Sequence, residues 1–157
     1  MVAACARDID HARSFCEEYA VDTAYGDVDE MLLGEEPDLV HIATGPTQHL
    51  ELMRMIDRRG TPVAIVEKPI AIDVGGRNAI RDLAASSPTR FLVNTQLPFH
   101  PRVQALLAIV ANGDIGEVRS IDASAGSTIL DQGVHLIDLA QRFAGIGPGR
   151  HRPSDLF

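Results

Sequence analysis

Short apolar runs alternate along the chain with longer stretches whose apolar residues recur at helical spacing. The runs, which are typical of buried strands, cover residues 2–5, 39–43, 62–66 and 91–93. The helical stretches between them cover residues 12–19, 28–32, 47–59 and 73–86. Strands that alternate with helices of this length predict βαβ units, and therefore an α/β fold with a parallel sheet covered on both faces.

A change of pattern near Pro98 predicts a domain boundary. Beyond it the apolar spacing predicts a helix at residues 103–110, a strand at 118–123 and a helix from about 131. We therefore assign residues 1–97 to a first domain and residues 98–157 to the beginning of a second.

Polar residues lie at the carboxyl ends of the predicted strands of the first domain. They are Arg7, Thr44, Lys68 and Asn94. In parallel α/β sheets, ligands bind beyond the carboxyl ends of the strands. These positions are therefore candidates for a ligand site.

The charge balance excludes several classes of partner. The chain carries 14 Lys and Arg against 22 Asp and Glu, a formal charge of −8, and has no basic run. Nucleic acids and anionic membranes require clustered cations, so neither is an expected partner. No stretch reaches the roughly 20 consecutive apolar residues of a membrane span, and the start of the chain lacks the order of a signal peptide. We expect a cytoplasmic protein.

The two cysteines, Cys5 and Cys16, lie in apolar contexts and have no Cys or His partners at metal-binding spacing. We therefore expect core thiols, with neither a disulfide framework nor a metal site.

Lysine occurs once in the sequence, at Lys68, whereas arginine occurs 13 times. At the end of a buried strand and followed by Pro69, its ammonium could point into the crevice and hold or protonate a substrate oxygen. The alternative is an ordinary strand-end lysine that pairs with Glu67 or reaches solvent. The residues around it leave both open.

A polar stripe marks the last predicted helix. Asp131, His135, Asp138 and Arg142 lie at positions i, i+4, i+7 and i+11, so they project from one face. Two carboxylates beside an imidazole would orient it and suit it to general acid–base chemistry near neutral pH. The alternative is a solvated polar face with helical charge pairs. Spacing alone does not distinguish them.

Several motifs occur in an order that resembles the Gfo/Idh/MocA oxidoreductases, the family of glucose-fructose oxidoreductase and inositol dehydrogenase. The resemblance runs from about residue 2 to residue 143. It is carried by Ala43-Thr44, His49, Glu67-Lys68-Pro69, Asn94, Gly113-Asp114-Ile115-Gly116-Glu117-Val118, and Asp131-x-x-x-His135-x-x-Asp138-Leu139.

The resemblance implies a two-domain enzyme, with a Rossmann domain that binds NAD(P) and an α/β domain that carries the substrate site and the oligomer contact. Hydride would pass between nicotinamide and a carbon of a sugar, polyol or cyclitol. The family places Lys68 between nicotinamide and substrate, makes His135 the acid/base, and uses Asp131 to position histidine or substrate. It also implies cofactor contacts at Arg7, Thr44, Gly45, Pro46, His49, Glu67, Lys68 and Gln96.

The chain departs from the family at its start. The family's first strand and its G-x-G-x-x-G/A turn, which hold the pyrophosphate, have no counterpart in the sequence. We therefore expect a Rossmann-like parallel sheet that lacks its first strand and glycine-rich loop, followed by the start of a C-terminal α/β domain. Because the missing strand is central in the order 3-2-1-4-5-6, the isolated chain should fold poorly or bind dinucleotide weakly.

The choice between NAD and NADP depends on the residue at the end of the family's second strand, which corresponds to the run at residues 2–5 in this chain. Where an acidic residue would bind the ribose of NAD, the chain has Ala6 with Arg7 beside it, which favours NADP. The alternative is that Arg7 pairs with Asp8 or Asp10.

A second hypothesis for the whole chain is a non-catalytic binding or dimerisation module derived from the family. The retention of Lys68, Asp131 and His135 favours instead a truncated enzyme or an incomplete reading frame. In the full-length form we expect a homo-oligomer.

Overall fold

The structure is a computed structural model that describes residues 1–145, with every side chain except that of Leu130. The predicted second domain is therefore described only as far as Gly145. The chain divides into two compact units. The first unit comprises Met1–Val66 and Ala71–Leu92, and the second comprises Glu67–Ile70 and the chain from Val93 onward.

Strands and helices alternate through the first unit and confirm the predicted α/β class. They are β1 (Ala3–Cys5), α1 (Ile9–Tyr19), β2 (Thr23–Tyr25), α2 (Val28–Glu35), β3 (Leu39–Ile42), α3 (His49–Arg59), β4 (Val63–Val66), α4 (Val74–Ser86) and β5 (Arg90–Val93), whose last residue belongs to the second unit. Strand β2 has no counterpart among the predicted elements, because its three half-buried residues form no apolar run.

Aspartates begin three of these helices. The carboxylates of Asp8, Asp27 and Asp73 accept hydrogen bonds from backbone N–H groups two or three residues later, at 3.0, 3.0 and 2.7 Å. These bonds satisfy donors that have no partner within the helix. Helix α3 ends at Gly60, whose φ of 73° is the left-handed conformation that glycine adopts without steric cost.

The strands form two parallel sheets where the alternation predicts one. Strands β1 and β2 form one sheet, and the other has the order β3-β4-β5. No ladder joins β1 to β3 within residues 1–145. Helix α2 contacts both β1 and α3, and so holds the two sheets in one unit.

The core of the first unit lies between its two sheets and their helices. Helix α3 packs on β3, β4 and α4. The most deeply buried apolar side chains, each at most 4% exposed, are Ala12, Leu32, Ile42, Met53, Ile56, Ala64, Val66 and Ile80. Of the two thiols, Cys16 is buried and Cys5 is half-buried.

The second unit is mainly helical as far as it is described. It contains a 3₁₀ turn (Leu97–Phe99), α5 (Pro101–Asn112), a π-helical turn (Ile129–Gly133) and α6 (Val134–Phe143). The strand predicted at residues 118–123 does not form. A strand needs a neighbour for its N–H and C=O groups, and no described segment pairs with these residues.

Candidate functional site

Lys68 follows β4 and belongs to the second unit. Its side chain is 18% exposed, and its Nζ donates to the backbone oxygen of Asp131 at 2.9 Å and to the carboxylate Oδ1 at 3.2 Å. The peptide bond to Pro69 is cis. The carboxylate of Glu67, which the sequence offered as the partner of Lys68, accepts a 2.6 Å hydrogen bond from Asn94 Nδ2. The lysine therefore pairs across 63 residues of sequence rather than with its neighbour.

Asp131 lies in the π-helical turn that begins α6. Its Oδ2 accepts a 2.6 Å hydrogen bond from Ser127 Oγ, while its Oδ1 faces Lys68. The hydrogen bond from Ser127, and then the one from Lys68, lower the pKa of Asp131, because both stabilise the charged form. Thr128 Oγ1 accepts from the Asp131 N–H at 3.2 Å and caps the turn. The carboxylate is therefore ionised near neutral pH and held from two sides.

His135 lies one helical turn after Asp131 and is 2% exposed. Its buried Nδ1 has no hydrogen-bond partner among the described residues. A buried polar atom left in this state costs about 1–3 kcal/mol. A ligand hydroxyl is one group that could satisfy it.

The polar stripe of α6 serves more than one purpose. Arg142 Nε donates to both carboxylate oxygens of Asp138, at 3.2 and 3.1 Å, in a partly buried i,i+4 pair. Asp138 thus forms the helical charge pair of the simpler alternative. Asp131 instead pairs with Lys68, so the structure does not show the predicted pair of carboxylates binding one imidazole.

His49 begins α3 in the first unit and is completely buried. Its Nε2 lies 3.0 Å from the backbone oxygen of Thr44. The imidazole therefore holds the segment that follows β3. Gly45 in that segment borders open space, since a Cβ added there would meet no atom within 4 Å.

Arg7 and Gln96 are exposed. The carboxylates expected to pair with Arg7 are occupied elsewhere, because Asp8 caps α1 and Asp10 binds Arg13 at 2.9 Å. Arg7 makes no ion pair with another described residue. Gln96 precedes the 3₁₀ turn, and its backbone oxygen accepts from the Phe99 N–H at 3.0 Å.

The structure thus brings Lys68 and Asp131 together, with His135 on the following turn. Sequence reasoning did not identify Ser127 or Thr128. The signal for Thr128 is the spacing of a helix cap, with an acidic residue three positions later. Ser127 has no comparable signal.

Residues 1–145 contain neither a candidate metal site nor a candidate membrane span. No group of three or more His, Cys, Asp or Glu could hold a metal ion there. None of the helices in that range is long and apolar enough to cross a membrane.

Comparison with known proteins decides the family. Residues 1–95 match the Gfo/Idh/MocA oxidoreductase family, which has an NAD-binding Rossmann fold. The match covers more than half of the chain. The chain belongs to this family.

Two curated relatives align with most of the chain. An uncharacterized oxidoreductase of Rhizobium meliloti is 29% identical over 167 aligned residues, which cover 96% of this chain and 50% of that protein. The trans-1,2-dihydrobenzene-1,2-diol dehydrogenase of Bos taurus is 26% identical over 132 residues, which cover 82% of this chain and 38% of that enzyme. The chain spans half or less of the length of these relatives.

Solved inositol dehydrogenase structures share the fold. The myo-inositol 2-dehydrogenase of Lactobacillus plantarum matches with a TM-score of 0.78 at 24% identity, over 92% of this chain and 48% of that one. The scyllo-inositol dehydrogenase of Lactobacillus casei, solved with bound NAD(H) and scyllo-inositol, matches with a TM-score of 0.76 at 22% identity, over 92% and 48%. These matches establish a Rossmann-like α/β fold with parallel strands.

Proposed function

We propose that the chain provides the catalytic residues of an NAD(P)-dependent dehydrogenase. The enzyme would transfer hydride between nicotinamide and a hydroxyl- or keto-bearing carbon of a sugar, polyol or cyclitol. The observation that carries the proposal is the contact between Lys68 and Asp131, one turn before a buried histidine whose Nδ1 has no hydrogen-bond partner within residues 1–145. A cation, a carboxylate and an imidazole in this order can orient a substrate hydroxyl and move its proton.

The names of related enzymes support the substrate class. According to these names, the enzymes act on a dihydrobenzene diol, on D-apiose and on inositols. All of these molecules carry several hydroxyl groups. A polyhydroxylated substrate would also suit a site that contains an ammonium and an imidazole, because both form hydrogen bonds with hydroxyl oxygens.

Each unit, taken by itself, presents a feature that suits contact with a dinucleotide. In the second unit, Lys68 presents an ammonium after β4, and in the first unit the open space at Gly45 follows β3. We propose that the cofactor is contacted by Arg7, Thr44, Gly45, Pro46, Glu67, Lys68 and Gln96, and that His49 acts by holding Thr44. When bound, the nicotinamide supplies the hydride acceptor or donor.

Each residue of the second unit has a separate role in this proposal. Lys68 holds or protonates the substrate oxygen, and the carboxylate of Asp131 holds the ammonium in place. His135 exchanges the proton of the substrate hydroxyl.

We further propose that a strand outside the described residues completes the sheet of the first unit between β1 and β3. These two strands belong to separate sheets, and Leu39 at the start of β3 is 50% exposed. A parallel strand between them would pair with both edges, and the turn after it would provide backbone N–H groups for a pyrophosphate.

The test of the proposed function is to place a strand, a G-x-G-x-x-G turn and a helix in front of Met1 and to measure NADH binding by calorimetry. We expect the extended chain to bind NADH at least about 100-fold more tightly than the unextended chain, because backbone amides at a helix N-terminus bind phosphate. Its conversion of inositols is then followed by nicotinamide absorbance. Micromolar affinity of the unextended chain would contradict the expected need for the added segment, and an extended chain that binds neither NADH nor NADPH would contradict the proposed function.

Cofactor preference gives a second prediction, which concerns Arg7. We propose that its guanidinium binds the 2′-phosphate of NADP, since it is exposed after β1 and its acidic neighbours bind elsewhere. In the extended chain, Arg7→Ala should weaken NADPH binding far more than NADH binding. Arg13→Ala, which removes a cation already paired with Asp10, is the control. Equal losses for both cofactors in Arg7→Ala would refute the assignment.

A further inference from the structure

Ser127 is the second side chain that forms a hydrogen bond with the carboxylate of Asp131. It is exposed, and it lies just before the π-helical turn. Its hydroxyl donates to Oδ2 of Asp131 at 2.6 Å, whereas Lys68 binds Oδ1 at 3.2 Å. Since the two oxygens of one carboxylate are held by different partners, both the position and the plane of that carboxylate are restricted.

We propose that Ser127 is a positioning residue that holds the carboxylate of Asp131 toward Lys68. The proposal rests on the proposed function, because it assigns Ser127 to the same site. Ser127 itself touches neither Lys68 nor His135 in any described contact, so it acts through Asp131.

The backbone of the turn is stabilised independently of Ser127. Thr128 caps it, with its Oγ1 accepting the Asp131 N–H at 3.2 Å. The side chain of Asp131 is about half exposed, so without Ser127 it could rotate into solvent. The hydroxyl of Ser127 therefore acts on the side chain of Asp131 rather than on the fold of the turn.

The electrostatic environment is consistent with this role. Lys68 is the one charged side chain that contacts Asp131 within residues 1–145. A hydroxyl bonded to a carboxylate at this distance forms a short charge-assisted hydrogen bond. Ser127 is also the largest cause of the lowered pKa of Asp131, ahead of Lys68. Removal of the hydroxyl should therefore both release the carboxylate and raise its pKa.

The single lysine makes a direct test possible. Selective ¹⁵N labelling of lysine in the whole chain gives one side-chain signal, that of Lys68. Its chemical shift is followed from neutral to acidic pH. The inflection that Asp131→Asn abolishes belongs to Asp131, and this variant thereby assigns it.

Two variants of nearly equal shape isolate the hydroxyl. Ser127→Thr keeps it and should titrate as the wild type does, whereas Ser127→Val lacks it and should shift the Asp131 inflection to higher pH. Ser124→Ala, an exposed serine of the same segment, should leave the inflection unchanged. Identical inflections in Ser127→Thr and Ser127→Val would overturn the proposal.

The same variants separate this proposal from the proposed function. Hydride transfer by the extended chain should fall in Ser127→Val and be retained in Ser127→Thr. If Ser127→Val shifts the inflection while no variant, including the wild type, transfers hydride, the positioning of Asp131 stands and the proposed function fails. If transfer is normal but the inflection does not depend on the hydroxyl, the positioning role fails alone.

Discussion

Replacement of Ile56 by alanine should lower the free energy of unfolding of the first unit by about 2–5 kcal/mol. Ile56 lies on α3, which packs on β3, β4 and α4, and is 1% exposed. Alanine removes buried methyl and methylene groups and leaves a cavity that close-packed neighbours fill only in part. Domains of this size are stable by only about 5–15 kcal/mol, so the loss is a large share of the total.

Urea denaturation monitored by tyrosine fluorescence measures this effect. The chain has no tryptophan, and both tyrosines, Tyr19 and Tyr25, belong to the first unit, so the signal reports that unit. Arg54→Ala, an exposed change on the same helix, should leave the midpoint nearly unchanged. Ile56→Val should cost about 0.5–1.5 kcal/mol. A midpoint for Ile56→Ala equal to that of Arg54→Ala would show that α3 is not packed as described.

In the extended chain, Lys68→Met should lower the rate of hydride transfer by about 100- to 10,000-fold, the usual contribution of a positioned proton donor. Methionine has a similar length but no ammonium, so it can neither bind Asp131 nor protonate a substrate oxygen. The rate is measured in a single turnover with an inositol substrate and followed by nicotinamide absorbance.

Lys68→Arg distinguishes the two roles of the ammonium. Arginine keeps the positive charge beside Asp131 but does not release a proton near neutral pH. If proton transfer is the role of Lys68, Lys68→Arg should be about as slow as Lys68→Met. Recovery of most of the wild-type rate in Lys68→Arg would assign the lysine to electrostatic binding alone, and a Lys68→Met variant of nearly wild-type rate would remove it from the catalytic site.

Predictions of the fold succeeded where the signal is local. The apolar runs that became β3 and β4 are short and continuous, and α3 begins and ends near the positions its spacing predicts. Strand β2 was missed because three half-buried residues form no periodic pattern. The strand predicted at residues 118–123 was wrong because the spacing of apolar residues cannot show whether a hydrogen-bonding partner is present.

The roles of the predicted site residues stay predictions, and the structure tests only the contacts that these residues make. Lys68, Asp131 and His135 were identified from motif order, but helical spacing grouped Asp131 with Asp138 around one imidazole. In the structure Asp138 pairs with Arg142, because an i,i+4 neighbour on a helix is always within reach. Ser127 was missed because its role depends on the rotamer of another side chain.

The sequence by itself determined the α/β alternation and the family, because apolar periodicity is a property of nearby residues and the order of motifs is a property of the chain. Only the tertiary structure decided that Lys68 binds Asp131 rather than Glu67 and that β1 and β3 belong to separate sheets. It also decided that His135 is buried, with no partner for its Nδ1 among the described residues. Each of these depends on which distant segments the packed chain brings together. The structure thus pairs Lys68, the one lysine of the sequence, with an aspartate 63 residues away.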